Sequence, residues 1–107
     1  SLSQNSLFHL WVREICVFLL ERKKVPQPEK LADLEEEIKE LLCFKFLGTV
    51  DKKVGQTVIP AQVQSTKKLT QGEFYFFMNQ VQDWALDLGI HLSHPQDSEF
   101  MKLQRTQ

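Results

Sequence analysis

The chain has 107 residues and a formal net charge of −1 at pH 7, and 42% of its residues are hydrophobic and 25% are charged. This composition is close to the globular average, which argues against a disordered chain, and the length fits a single domain with one core. The near-neutral charge lowers the expectation of a dedicated nucleic-acid binder, because such proteins are usually strongly basic.

The first predicted element is a helix over residues 7–22, which contains the densest apolar stretch of the chain, Leu7 to Leu20. Apolar side chains cover most sides of this helix, so we expect it to be the centre of the core. It is too short for a membrane span, and Arg13 and Glu14 make it too charged. Three residues with side-chain oxygens are its candidate N-caps: Ser3, Asn5 and Ser6.

A second predicted helix follows Pro26 and Pro28, which end the first, and Pro28 suits its first turn. Apolar residues recur at three- and four-residue steps on one side of this helix, and acidic residues fill the other side. The predicted buried residues are Leu31, Leu34, Ile38, Leu41 and Leu42. We interpret the acidic face as a solvated surface.

Residues 44–63 have lost the helical periodicity and allow two interpretations. In the first, Phe44, Phe46 and Val50 alternate on one strand of a β-hairpin, residues 57–59 form the other strand and residues 51–55 form the turn. In the second, the second helix extends to Leu47, Gly48 caps it in a left-handed conformation, and the next twenty residues form an ordered loop.

The best delimited predicted element is a helix over residues 71–88. Thr70 and Glu73 have the spacing of a capping box, and Gly89 followed by Ile90 fits a left-handed C-terminal cap. This helix should pack against the first one through an apolar stripe, which consists of Phe74, Phe77, Met78, Val81, Trp84, Ala85 and Leu88.

Residues 93–107 are expected to be a polar, partly ordered tail with two interpretations: Ser98 starts a short helix that docks Phe100, Met101 or Leu103, or the segment frays. The sequence therefore predicts a mainly α fold, a small helical domain with three long helices, a possible β-hairpin in residues 44–63 and a short C-terminal helix. Residues 1–107 are predicted to form a single domain, which we expect to be excised from a larger protein.

The residue types needed for catalysis are not arranged in any recognisable motif. None of the three histidines has a nucleophile and a carboxylate at a known spacing, so we expect neither an enzyme nor a cofactor. His91 and His94 are interpreted as loop histidines rather than metal ligands. Asp51 to Ile59 do not fit a calcium-binding loop, because Lys53 interrupts the oxygen ligands and no glutamate stands at the twelfth position.

Cys16 and Cys43 lie in apolar runs 27 residues apart, a spacing that matches neither a zinc site nor a dense disulfide framework. We therefore expect buried free thiols in a reducing compartment. The N-terminal residues also lack the pattern of a signal peptide. Together these features predict an intracellular protein, either cytoplasmic or nuclear, with no membrane association.

The leading functional prediction starts from apolar side chains that the predicted core leaves over. On the last long helix Phe76 lies on the same face as Asp83, while Tyr75 and Leu86 lie on a different face, and all of them are outside the apolar stripe. Exposed aromatic residues that are rimmed by polar side chains are common anchors of interfaces. These four residues predict a non-enzymatic interaction domain, an adaptor or scaffold that binds a partner helix or peptide or forms a homodimer. The competing interpretation is that loops between residues 44 and 69, or the C-terminal tail, cover these side chains and complete the core.

The alternative prediction is a winged-helix-like module that binds nucleic acid. Basic residues occur in three groups at predicted loops or helix ends: Arg22 to Lys24, Lys52 with Lys53, and Lys67 with Lys68. If a hairpin placed Lys52 and Lys53 beside Lys67 and Lys68, the four lysines would form a surface that binds phosphates through their charge.

Overall fold

A computed structural model describes residues 1–107 and shows four helices and one antiparallel hairpin, which confirms the predicted mainly helical fold. The helices are α1 (Gln4–Glu21), α2 (Leu31–Leu47), α3 (Gln71–Asp87) and α4 (Glu99–Arg105). The hairpin strands are β1 (Thr49–Val54) and β2 (Thr57–Val63), and a 3-10 turn (Thr66–Lys68) leads into α3. None of the helices combines the length and the hydropathy that a bilayer crossing requires.

Helix α1 is the centre of the core, as its apolar content predicted. Phe8, Trp11 and Ile15 are fully buried, and α1 contacts each of the other three helices. The helix begins three residues before the predicted start. The reason is that the Ser3 hydroxyl caps it by accepting a hydrogen bond from the amide of Ser6, at 3.1 Å.

Helix α2 runs antiparallel to α1 and turns most of its acidic side chains toward solvent. Three of its five predicted core residues are buried, whereas Leu31 and Leu41 are exposed at the edges of the apolar stripe. The placement of Pro28 in its first turn is wrong. The helix begins only at Leu31, because the chain uses residues 22–30 to reverse its direction after α1.

The region after α2 combines parts of both interpretations of the sequence. Helix α2 continues to Leu47 and ends at Gly48, whose φ is +78°, so the placement of Phe44 and Phe46 on a strand is wrong. A hairpin nevertheless forms, but its turn lies at residues 55–56 and not at the predicted 51–55, because residues 51–54 pair with β2 as part of β1. A glycine at position 48 lets the helix end and the first strand begin without any intervening loop.

Helix α3 begins and ends almost as predicted. Thr70 and Glu73 form the capping box, in which each side chain accepts a hydrogen bond from the amide of the other, at 3.2 and 2.8 Å. At the other end Gly89 has a φ of +84°, and the amide of Ile90 bonds back to the last helical turn. Ile90 is thereby buried, and Leu88, which was predicted to be buried, is exposed beyond the end of the helix.

The contact between α1 and α3 is largely aromatic. The ring of Phe8 lies 6.1 Å from that of Phe74 and 5.2 Å from that of Phe77, and both pairs are edge-to-face. This confirms the predicted packing of α3 on α1. Trp84, which was predicted in the same stripe, is only half-buried.

Residues 93–107 pack against the body of the domain. The indole Nε1 of Trp11 donates a hydrogen bond to the carbonyl of Ser93 at 2.7 Å, and the Glu14 carboxylate accepts hydrogen bonds from the amide and the hydroxyl of Ser93. Ser98 then caps α4, and Phe100 is fully buried with its ring 5.1 Å from that of Trp11. The C-terminal helix therefore completes the core.

Candidate functional site

Four lysines from two separate parts of the chain meet at one cleft, which we call the lysine cleft. Lys52 and Lys53 come from β1, and Lys67 and Lys68 come from the 3-10 turn after β2. The cleft has a volume of about 800 Å³, and all four lysines are exposed. Its other lining residues are Val50, Asp51, Val54, Gln64 and Ser65. The structure thus brings together the two lysine pairs that the alternative prediction required.

Local hydrogen bonds fix the two walls of the lysine cleft relative to each other. The amide of Gln64 donates to the carbonyl of Gly48 at 3.0 Å, which closes the base of the hairpin. Ser65 caps the 3-10 turn, and its hydroxyl accepts a hydrogen bond from the amide of Lys67 at 3.0 Å. Thr66 is buried and anchors the turn to the body. The lysine side chains of this turn therefore project from a backbone that is held in place.

None of the four lysines of the lysine cleft forms an ion pair, and Asp51 is the one acid among its lining residues. Glu36 and Glu40 of α2 line an adjoining cleft together with Ser65 and Lys67. The one ion pair of the structure joins Arg13 on α1 to Glu35 on α2, 3.1 Å apart, in a different cleft. Residues 41–72 contain five lysines and a single acid, Asp51. Residues 29–40, by contrast, contain six acids and two lysines. The net charge of −1 therefore conceals a strong separation of charge along the chain.

Asp51, the one acid that lines the lysine cleft, accepts a hydrogen bond from a β-bulge in the hairpin. The pairing shifts between Val50 and Lys52, so that two residues of β2, Pro60 and Ala61, face Asp51 alone. Ala61 has a φ of +54°, and its amide donates a hydrogen bond to Oδ1 of Asp51 at 3.1 Å. A bulge of this kind bends and twists the strand beyond it. The outer half of the hairpin, which carries both β1 lysines, begins at this bulge.

The four residues predicted to bind a protein partner differ in their surroundings. Tyr75 is half-buried, because its ring packs 5.2 Å from that of Phe100 on α4. Asp83 and Leu86 are exposed. Phe76 is 66% exposed, which is the largest fraction among the large apolar side chains. Phe76 is therefore the strongest candidate for an anchor on this surface.

Phe76 borders a second cleft at the junction of α2 and α3, which we call the Phe76 cleft and which has a volume of about 470 Å³. Its apolar lining includes residues that the sequence analysis did not assign to a site: Phe46, Leu47, Leu69 and Phe77. Phe46 was missed because its spacing also fits a strand. Leu69 has a sequence signal, since it precedes the cap of α3 and Phe74 follows at the spacing of a hydrophobic staple.

The histidine region near residue 94 forms polar and aromatic contacts within the fold. The ring of His94 lies edge-on to that of Trp11 at 5.8 Å, and its Nε2 contacts Oε1 of Gln82. His91 is exposed. The structure contains no group of three or more side chains placed to ligate a metal ion.

Both thiols are buried in the core and unpaired. Burial, with a smaller effect of the Glu35 carboxylate, raises the pKa of the Cys16 thiol to about 11. Burial likewise raises the pKa of Cys43, against the opposite effect of Lys39. Because the thiolate is the reactive form, neither cysteine is placed to act as a nucleophile at neutral pH.

Comparison with known proteins shows relatives that align with the whole chain. The chain is 34% identical to YbcN, an uncharacterized protein of Escherichia coli strain K12, and 33% identical to an uncharacterized protein in the rusA 5′ region of Enterobacteria phage 82. Both alignments span 108 positions and cover all of this chain and 70% of the relative. No known protein-family profile matches the chain. No solved structure matches it either.

Proposed function

This chain belongs to the same protein family as YbcN and the phage 82 protein, and we propose that it binds the phosphodiester backbone of a nucleic acid in the lysine cleft. The observation that carries the proposal is the convergence of two lysine pairs on one cleft. Two lysine pairs from β1 and from the 3-10 turn line one cleft, and none of the four lysines is in an ion pair. Ammonium groups bind phosphates as point charges, and their binding releases condensed counterions.

The lining of the lysine cleft favours contacts to the backbone over readout of bases. None of its nine lining residues is aromatic, so the cleft offers no platform on which bases can stack. Lysine side chains and the Ser65 hydroxyl are suited to phosphate oxygens, which carry no sequence information. We therefore expect binding that depends weakly on base sequence.

The acidic face of α2 supports the proposal by limiting where the nucleic acid can lie. Residues 29–40 carry six acids, and most of their side chains are exposed. This face repels a phosphate backbone, whereas the lysine cleft attracts it. Because Glu36 and Glu40 line a cleft with Ser65 and Lys67, we expect the backbone to lie against the side of the hairpin that faces away from α2.

The test is fluorescence anisotropy with labelled oligonucleotides of about 30 residues, one single-stranded and one duplex, in about 50 mM salt. Two double variants remove the cleft charges, Lys52→Glu with Lys53→Glu and Lys67→Glu with Lys68→Glu. Each is expected to weaken binding about tenfold or more, because each removes half of the phosphate contacts. Comparing the two probes shows whether the cleft prefers a single strand or a duplex.

The matched control is Lys23→Glu with Lys24→Glu, which changes the net charge by the same amount. These exposed lysines lie in the connection between α1 and α2, and neither lines the lysine cleft. The control is expected to bind nearly as tightly as the wild type. Equal weakening by all three double variants, or no binding by the wild type at tens of micromolar protein, contradicts the proposal.

A second function, contact with another protein chain, is favoured by the Phe76 cleft. Phe76 is 66% exposed beside an apolar cleft, and an exposed aromatic side chain next to a pocket is a common interface anchor. The partner that can be tested directly is a second copy of the chain. Sedimentation velocity is expected to show association of the wild type that Phe76→Asp abolishes.

The matched control for this second test is Phe44→Asp. Phe44 is 56% exposed on α2 and does not line the Phe76 cleft, so the same change of side chain occurs at a different surface. Phe44→Asp is expected to leave the association unchanged. A wild type that sediments as a monomer at high concentration argues against self-association through this cleft.

A further inference from the structure

We propose that Asp51 is a positioning residue of the lysine cleft, which holds the hairpin bulge and thereby sets the spacing between the two lysine pairs. This inference rests on the proposed binding of a phosphate backbone. It assigns a role to the one acid among the lining residues of the cleft.

The position of Asp51 is unfavourable on electrostatic grounds alone. Its carboxylate is exposed, lines the lysine cleft and forms no ion pair with the neighbouring lysines. A negative charge at this place repels the phosphates that the lysines attract. The carboxylate of Asp51 therefore does not contribute to phosphate binding through its charge. Its contribution is a contact within the hairpin.

Asp51 forms a hydrogen bond that the bulge requires. Ala61 has a φ of +54°, a conformation that residues with a side chain seldom adopt, and the bulge takes its amide out of the regular ladder. Oδ1 of Asp51 accepts a hydrogen bond from this amide at 3.1 Å. On the other side of the bulge, Nε2 of Gln62 donates to the carbonyl of Pro60, also at 3.1 Å. Two side chains thus satisfy one backbone group of each bulge residue, the amide of Ala61 and the carbonyl of Pro60.

The bulge controls how the two lysine pairs are placed. Lys67 and Lys68 follow the cap and the buried residue that anchor the 3-10 turn to the body. Lys52 and Lys53 lie beyond the bulge, in the part of the hairpin whose direction the bulge sets. If the bulge relaxes, both pairs keep their charge but cannot contact one backbone together.

The test compares two substitutions that remove the same charge. Asp51→Asn keeps an oxygen that can accept the amide of Ala61, and it is expected to bind the oligonucleotide about twofold more tightly than the wild type, since one repulsive charge is lost. Asp51→Ala loses the acceptor as well, and it is expected to bind about fivefold more weakly despite the lost charge. An electrostatic role alone predicts tighter binding for both variants.

Amide hydrogen exchange measured by NMR gives a readout that does not need nucleic acid. The Ala61 amide is expected to be protected in the wild type and in Asp51→Asn, and to lose protection in Asp51→Ala. Asp87→Ala removes an exposed charge at the end of α3 and serves as the control, with no expected change at Ala61.

The outcomes separate this inference from the proposed function. A wild type that binds no oligonucleotide overturns both. A wild type that binds, together with Asp51→Ala that binds as tightly as Asp51→Asn, overturns the positioning role alone. An Ala61 amide that is equally protected in all variants also overturns it.

Discussion

At the scale of single residues, Trp11 connects the core to the C-terminal segment by packing and by a hydrogen bond. Its ring is fully buried beside Phe100, and its Nε1 bonds to the carbonyl of Ser93. Trp11→Ala is expected to lower the free energy of unfolding by roughly 3–5 kcal/mol, because it leaves a large cavity. Trp11→Phe keeps a ring and loses the hydrogen bond, and its cost should be roughly 1–2 kcal/mol. Urea unfolding followed by circular dichroism measures both, and an unchanged midpoint for Trp11→Ala contradicts the central position of α1.

The buried thiol of Cys16 is expected to make the fold less stable as the pH becomes alkaline. Burial, and secondarily Glu35, raises the pKa of its thiol from 9.0 to about 11, so the folded state disfavours the thiolate. Below pH 9 the thiol is protonated in both states and the stabilisation is complete; it is then lost progressively as the pH rises toward 11. Thermal unfolding of the wild type and Cys16→Ala between these pH values should show a larger fall for the wild type. Alkylation by iodoacetamide at pH 8 should be slow without urea and fast with it, and equal rates would count against burial of the thiol.

At the scale of elements, Gly48 separates the end of α2 from the start of the hairpin. Its φ of +78° and ψ of −154° lie in a region that residues with a side chain rarely occupy, and a methyl group on its Cα would meet no atom within 4 Å. Gly48→Ala should therefore cost roughly 1–3 kcal/mol of stability for conformational rather than steric reasons. Gly72→Ala is the control, because Gly72 lies in α3 with open space around it, and this change should stabilise by roughly 0.5–1 kcal/mol. Urea unfolding measures the change in the free energy of unfolding for both variants. Equal changes for Gly48→Ala and Gly72→Ala contradict the conformational strain assigned to an alanine at position 48.

The helices could be predicted closely because their signals are local. The cap at Thr70 and the glycine at position 89 place the ends of α3 within one residue. The secondary structure at Phe46 could not be predicted from local signals. Its spacing suits a strand as well as a helix, and the contact of its ring with Phe77, 6.5 Å away on α3, belongs to the helical alternative. Such a contact depends on how α2 and α3 pack, which the periodicity of α2 alone does not specify.

At the scale of the whole molecule, the candidate site was only partly predictable, because it joins distant segments. The two lysine pairs are visible in the sequence, but their meeting depends on the length of the hairpin and the direction of the turn that follows it. The packing of Tyr75 on α4 is also a long-range contact, so the sequence grouped this residue with the exposed Phe76. The bond between Asp51 and Ala61 has no sequence signal, since alanine is not expected at positive φ.

The salt dependence of binding reports how many lysines act together. If all four lysines of the cleft contact phosphates, the logarithm of the association constant should fall with the logarithm of salt concentration with a slope of about −3.6 for a duplex and about −2.8 for a single strand. Each double Lys→Glu variant of the cleft should reduce the slope by about half or more. Anisotropy titrations between about 50 and 200 mM salt measure the slopes. A slope near zero for the wild type would mean that the cleft does not contact phosphates.

The two-stranded form of the hairpin also has a consequence for solubility. Each strand has one edge with unpaired backbone groups, and the edge of β2 is interrupted by Pro60 and the bulge, whereas β1 contains neither a proline nor a glycine. A regular edge strand invites edge-to-edge aggregation, and lysines on it oppose that association. We therefore expect Lys52 and Lys53 to oppose intermolecular β-pairing. Replacing them with valine is expected to promote aggregation that light scattering detects, whereas replacement with glutamate keeps the edge charged and the protein dispersed.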